Sequence, residues 1–334
     1  CITQIHQNHI YDRDVEDVQS QFYIALQTQY IAELDPSVAY NFPILLLPIA
    51  LLISLIGFCK KLIVKKQIYP IPVICIGNIY LGGTGKTPFS IKLFSILQSL
   101  NKNPVFIRKK YRSFHDEVSL QKQIGPVYEN NSRAKAIYEA IQNKADIAIL
   151  DDGFQDFSIN KSLSIICFNE KQWIGNGFLI PSGPLRERLS ALNRANYVII
   201  NGEKNIDIEK EIIKQNKQIK IYYTKYEVQN IKEFENKKVV SFAGIGNPVN
   251  FFDLLNKHRI NILEKISFPD HYNYSKKELE NLIKKGKNNN AILITTEKDY
   301  FRINEKYKKN IKYLRIKVKI EKEKEFIEEL KKNL

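Results

Sequence analysis

Six consecutive residues, Gly82, Gly83, Thr84, Gly85, Lys86 and Thr87, suit the binding of phosphate. Glycines lack a Cβ, so successive backbone N–H groups can turn toward anionic oxygens, while the lysine adds a cation and the threonine hydroxyl can ligate Mg²⁺. Pro88 then occupies what would be the first residue of a helix, where its missing N–H costs nothing and the helix dipole adds to the anion site. The match to G-x-x-x-x-G-K-[ST] is a variant one, with Tyr80 in the first glycine position. Further along, Asp151-Asp152-Gly153 closes an apolar run and offers the hard carboxylate oxygens that a Mg²⁺ ion on nucleotide phosphates needs. Asp116 and Glu117 stand in a polar stretch, and His271, in FPDHYNY, carries an imidazole eligible for acid–base work near neutral pH. By type alone, these last three also suit a solvated surface.

Groups of this kind need rigid elements behind them. The apolar run Val73 to Ile76 reads as a strand buried on both faces and feeding the phosphate loop. Phe89, Leu93, Ile96, Leu97 and Leu100 repeat at helical spacing after it. Short strands are expected at 105–107, 147–150, 163–168, 197–201 and 219–223, with a helix over 134–143. Strands alternating with helices predict a doubly wound, mostly parallel α/β sheet with sites at the C-terminal strand ends. A second, smaller α/β unit is expected over 238–334. It holds the strand and glycine turn VVSFAGIG, a helix from Pro248 to Lys257, a strand at 291–295 and a tail alternating Leu314, Ile316, Val318, Ile320. The first unit spans 67–225, and polar residues 226–237 read as the linker.

The 334-residue chain has room for two such cores, and Cys1, Cys59, Cys75 and Cys167 read as buried thiols of a reducing compartment rather than a disulfide or metal framework. The net charge of +15 is uneven: residues 1–40, an acidic leader without a motif, carry −5, and the rest carries +20. A basic body favours anionic partners, but no nucleic-acid recognition motif accompanies it, so a nucleic-acid partner is not expected. From Phe42 to Cys59 run 18 residues without a charge, followed by Lys60, Lys61, Lys65 and Lys66. That pattern predicts a membrane helix within 41–66, spanning or lying in one leaflet, with its lysines at an anionic cytoplasmic surface.

VICIGNIYLGGTGKTP, ILDDGFQ, NGFLIPSGPLRE, VVSFAGIGNP, FPDHYNY and ITTEKD resemble, in order and spacing, the motifs of the tetraacyldisaccharide 4′-kinase family, the lipid A 4′-kinases of Gram-negative bacteria. The resemblance covers about residues 44 to 303. It implies a membrane-anchored P-loop kinase fold that moves the γ-phosphate of ATP to the 4′-hydroxyl of a tetraacylated glucosamine disaccharide 1-phosphate at the inner membrane, giving lipid IVA. By motif, Lys86 and Thr87 resemble the phosphate and Mg²⁺ contacts, and Asp151 and Asp152 complete the metal and nucleotide site. Asp116 resembles the catalytic base, Glu117 a metal-side acid, and His271 the partner that tunes Asp116. Arg133, Gln155 and Arg186 resemble residues facing phosphate or substrate. The chain departs from the family pattern at His115, where a glycine precedes the Asp, at Lys110-Tyr111 in place of Arg-Gly-Tyr, and at Asp156 in place of a His. The alternative is a membrane-associated P-loop ATPase switch, which would keep Lys86, Thr87 and Asp151 but have no need of Asp116 or His271.

Overall fold

Continuous apolar runs form the centre of the larger sheet, because strands covered by helices on both faces bury every side chain. In the computed structural model, which describes residues 43–110 and 115–334, strand β1 (Val73–Gly77) is buried at every position. It lies between β4 (Ile147–Asp151) and β5 (Leu163–Asn169), both parallel to it. Beyond β4 come β2 (Pro104–Lys109) and β3 (Val127–Asn130); beyond β5 come β6 (Tyr197–Asn201) and β7 (Lys220–Val228). The order is β12-β7-β6-β5-β1-β4-β2-β3, parallel except for the last strand of the chain to join it, β12 (Ile316–Ile320), which runs antiparallel to β7.

The helix Lys86–Ser99 supplies Phe89, Leu93, Phe94, Ile96 and Leu97 to the core beneath this sheet. Phe94 stacks on Phe106 of β2, with ring centroids 4.7 Å apart. The C-terminal helix Glu323–Lys332 presses Phe326 edge-on against Phe89, Tyr197 and Tyr222, so the end of the chain buttresses the phosphate-loop helix. The alternating tail expected as one strand is therefore two. Lys312–Leu314, β11, joins the smaller sheet, and β12 crosses to the larger one.

The smaller sheet is parallel throughout, in the order β11-β10-β8-β9, with β8 at Lys238–Ala243, β9 at Asn261–Ser267 and β10 at Ile292–Thr296. The helix Pro248–Lys257 starts where its proline predicts, with the Asn247 side chain accepting at the N-cap. Ser275 and Glu278 form a reciprocal capping box that starts the helix Lys276–Asn288.

By contacts the chain divides into two units. One holds both sheets; the other takes in the apolar helix Leu47–Ile63, residues 79–81 and residues 172–193. That helix starts later than the uncharged run, and among the described residues no helix is long and apolar enough to cross a membrane. It exposes Leu51, Leu52, Leu55, Leu62 and Ile63. Cys59 is exposed there, against the expectation of a buried thiol, because it lies on a helix whose apolar side chains are themselves exposed; Cys75 and Cys167 are buried. The acidic leader, residues 1–40, lies outside the described residues.

Candidate active site

Because β1 and β4 are adjacent and in register, with Ile76 opposite Asp151, the phosphate loop and the Asp151-Asp152 pair emerge at the same sheet edge. The loop adopts a backbone that suits glycine: φ is +78° at Gly82, +29° at Gly83 and +85° at Gly85, the residue that caps the helix. Below it the Asn78 amide donates to Thr84 Oγ1 at 3.1 Å, and Gln155 Nε2 donates to the Asn78 carbonyl at 2.9 Å. Lys86 Nζ lies 3.4 Å from Asp152 Oδ1. Thr87 is buried at the first helical turn, where its carbonyl accepts from Ser90 Oγ.

Behind the loop, the pairing of β2 with β4 places Arg108 beside Asp151. The guanidinium is buried. It donates through Nη1 to Asp151 Oδ2 at 2.9 Å and through Nη2 to Glu117 Oε2 at 2.6 Å. Gln121, one turn after Glu117 on the helix His115–Lys122, donates to the same Asp151 Oδ2 at 2.7 Å and to Ser90 Oγ at 3.1 Å. The other Asp151 oxygen, Oδ1, is buried with no hydrogen-bond partner among the described residues. Burial pushes the Asp151 carboxyl up and the nearby Glu117 charge adds to this, against the pull of Arg108.

The smaller sheet closes the cluster. Lys298, in the helix Glu297–Arg302, places Nζ 2.9 Å from Glu117 Oε1 and 3.1 Å from His271 Nε2. Burial alone would raise the Glu117 carboxyl; Lys298 and Arg108 overcome it and hold the group well below the usual carboxylate range. His271, in the loop after β9, sits at φ +55° with its backbone N–H on the Gly244 carbonyl, so the turn after β8 anchors the loop that carries the histidine. The same turn abuts the phosphate loop: a Cβ on Gly246 would meet Gly83 N at 2.9 Å and Asp270 Oδ2 at 3.0 Å.

The chain that carries this assembly is similar to known proteins. Residues 42–334 match the family model described as tetraacyldisaccharide-1-P 4′-kinase, LpxK. The chain belongs to the tetraacyldisaccharide 4′-kinase family. A tetraacyldisaccharide 4′-kinase of Pelagibacter ubique is 40% identical over 292 residues, covering 86% of this chain and 93% of that protein. The corresponding protein of Rickettsia bellii is 35% identical over 277 residues, with 78% and 85% covered. Among solved structures, LpxK from Aquifex aeolicus, crystallised in complex with ATP, superposes with a TM-score of 0.68 at 24% identity, covering 87% of this chain and 99% of that one, so the two share a fold.

Measured against the residues expected of a tetraacyldisaccharide 4′-kinase, the structure brings together Gly82 to Thr87, Asp151, Asp152, Gln155, Glu117 and His271 in the unit that holds both sheets. Arg133 is there too. It donates through Nη2 to the Asp152 carbonyl at 2.7 Å and through Nη1 to Asp156 Oδ2 at 3.2 Å, so the departure at Asp156 gives this arginine an internal partner. Arg186 belongs to the other unit, where its backbone N donates to the Ile79 carbonyl at 2.8 Å. Asp116 lies in the first turn of the helix His115–Lys122, and its side chain is outside the described ones.

Sequence reasoning missed Arg108, Gln121 and Lys298 as members of the site. Arg108 and Gln121 lie in an otherwise ordinary polar stretch; the pairing of β2 with β4 recruits Arg108, and the helix His115–Lys122 brings Gln121 to Asp151. Lys298 had a signal, its place inside ITTEKD.

Proposed function

We propose that this chain transfers the γ-phosphoryl group of Mg²⁺-bound ATP to the 4′-hydroxyl of tetraacyl glucosamine disaccharide 1-phosphate, giving lipid IVA in lipid A biosynthesis. The observation that carries the proposal is the family match across residues 42–334, on a chain whose phosphate loop and paired aspartates share one sheet edge. In the transfer a bond forms between the sugar oxygen and the γ-phosphorus, the bond to the β-phosphate oxygen breaks, and the hydroxyl proton passes to a base.

The donors present fit a Mg²⁺ ion. Asp151 Oδ1, buried with no hydrogen-bond partner among the described residues, and the Thr87 hydroxyl would serve as hard oxygen ligands, with Asp152 the adjacent carboxylate. The ion, when bound, neutralises charge on the phosphates. Lys86 and the loop N–H groups bind the transferred group and draw off its negative charge, the dominant requirement of phosphoryl transfer. Lys86 leaves Asp152 to do so, exchanging one anion for another. Glu117, held on both oxygens by Arg108 and Lys298, has an orienting role in this scheme. Asp116 takes the hydroxyl proton and His271 tunes it, with Arg133, Gln155 and Arg186 on the phosphate and substrate side.

An acylated substrate resides in a bilayer. The exposed leucines of the helix Leu47–Ile63, followed in sequence by Lys65 and Lys66, support docking of the enzyme on the anionic cytoplasmic face of the inner membrane.

The test is transfer of radiolabelled γ-phosphate from ATP to the tetraacyl disaccharide 1-phosphate in mixed micelles, with wild type and Asp116→Ala side by side. Label in the lipid with wild type alone supports both the reaction and the base. Label with both variants keeps the reaction and removes Asp116 from that role. Hydrolysis of ATP without lipid labelling favours the ATPase switch.

A further inference from the structure

Lys298 is held at its place by its neighbour. Asp299 is fully buried and accepts hydrogen bonds from Thr296 Oγ1 at 2.6 Å, Tyr274 Oη at 2.7 Å, Arg302 Nη2 at 2.8 Å and the Gly244 backbone N at 3.1 Å. Thr296 in turn caps the helix by accepting from Asp299 N. These bonds fix the start of the helix Glu297–Arg302 against the Gly244 turn, whose carbonyl also accepts from the His271 backbone N–H. The Lys298 ammonium is then delivered to Glu117 Oε1 at 2.9 Å and His271 Nε2 at 3.1 Å, with Asp270 Oδ1 farther off at 3.9 Å.

An ammonium has three hydrogens and no lone pair, so in a hydrogen bond with an imidazole nitrogen it can only donate. Nε2 must therefore offer its lone pair, and the ring hydrogen resides on Nδ1. This is the reverse of the tautomer that a free imidazole side chain prefers in water, where Nε2 carries the hydrogen. We infer that Lys298 is a positioning residue: it holds His271 as the Nδ1–H tautomer and ties that ring, through Glu117 and Arg108, to the Asp151 carboxylate at the phosphate site. Each link is a short contact: Lys298 to Glu117, Glu117 to Arg108 at 2.6 Å, and Arg108 to Asp151 at 2.9 Å. The ring nitrogen left as donor is the one a carboxylate base would need for its orientation. Lys298 itself touches no reacting atom in this scheme. A lysine whose only task was to balance the Glu117 charge would have no effect on the imidazole.

The kinetic part of this inference rests on the kinase reading; the tautomer does not. The experiment is ¹⁵N NMR of nucleotide-free, histidine-labelled protein, with the His271 signals identified by their loss in His271→Gln. Wild type is expected to show an unprotonated Nε2 and a protonated Nδ1. Lys298→Met, which keeps the apolar stem, is expected to show the Nε2–H form, and Lys298→Arg, whose guanidinium also only donates, is expected to keep the wild-type pattern. In lipid phosphorylation, Lys298→Met is expected to lower kcat by about 10²-fold, the cost of misplacing a reacting group by about 1 Å, with KM for ATP unchanged. Lys298→Arg is expected to restore part of the rate, and Lys298→Met combined with His271→Ala to be no slower than His271→Ala alone. An Nε2–H ring in wild type would overturn the inference, even if the Met variant failed to fold. So would additive rate losses in the double variant. If wild type phosphorylated no lipid, the kinase reading would fall while the tautomer could still be read.

Discussion

The phosphate loop and the charge cluster behind it are neighbours, yet they are held by opposite means. The loop is a matter of backbone: left-handed glycines and a helix N-terminus set its shape, all within a few residues of chain. The cluster is a matter of side chains drawn from β2, from the end of β4, from the helix His115–Lys122, from the loop after β9 and from the helix after β10. A contiguous device loses function when one residue changes and keeps its fold. A dispersed, buried and charged device couples function to stability, since removing one partner leaves another charge buried.

Several substitutions would break or sharpen that contrast. The largest expected effect is Lys86→Ala, which should cut phosphoryl transfer by about 10³-fold or more while leaving thermal unfolding unchanged, because among the described residues its ion pair is with Asp152 alone and it supports no core. Arg108→Met belongs to the cluster and should cost stability as well as transfer. With Asp151 stripped of its buried cation and Glu117 left with Lys298 alone, unfolding in urea should show a loss of about 3–5 kcal/mol.

Gly85→Ala sharpens the loop side. A Cβ there would fall 2.8 Å from Tyr226 Oη on a backbone at φ +85°, so about 1–2 kcal/mol of stability should be lost, measured by the shift in urea midpoint. A weaker grip on nucleotide should accompany it.

The pH dependence distinguishes the cluster again. Glu117 has its folded pKa lowered below the ordinary 4.5, so its contribution to stability is complete above that value and is lost as pH falls through the lower folded one. The stability difference between wild type and Glu117→Gln should therefore be constant near neutrality and shrink in acid, a trend that urea titrations at a series of pH values would show. The smallest effect is expected at Lys171→Ala. Its ion pair with Asp253 is exposed on both sides and should be worth no more than about 1 kcal/mol, reduced further by salt.

The same contrast explains what could be read from the chain before folding. Strands such as Val73–Gly77 and Tyr197–Asn201 announced themselves as apolar runs, and the Pro248 helix start was legible from proline placement, whereas the phosphate-loop helix, capped by Gly85, begins at Lys86, two residues before the expected Pro88. The phosphate loop itself was legible, since its residues are consecutive. The half-exposed strand Asn261–Ser267 and the largely polar helix Lys276–Asn288 gave weaker signals, since their burial depends on neighbours distant in sequence. The tail alternation was visible, but not that Arg315 separates a strand of one sheet from a strand of the other. Arg108 could not be singled out among Arg108, Lys109 and Lys110, because only strand order decides which of these meets Asp151. Asp299 was hidden in a recognisable motif. Its task is structural, and the lysine before it carries the contact to the site.

The central claim is that the smaller sheet completes the phosphoryl-transfer site. The most direct measurement compares wild type and His271→Ala for both lipid phosphorylation and ATP hydrolysis, with thermal unfolding followed on the same samples. The expected result is a fall in lipid phosphorylation of about 10²-fold or more with the unfolding midpoint unchanged, as suits a residue that tunes a general base. Equal phosphorylation by both proteins would contradict the claim and leave the phosphate-loop edge of the larger sheet as the whole of the catalytic site.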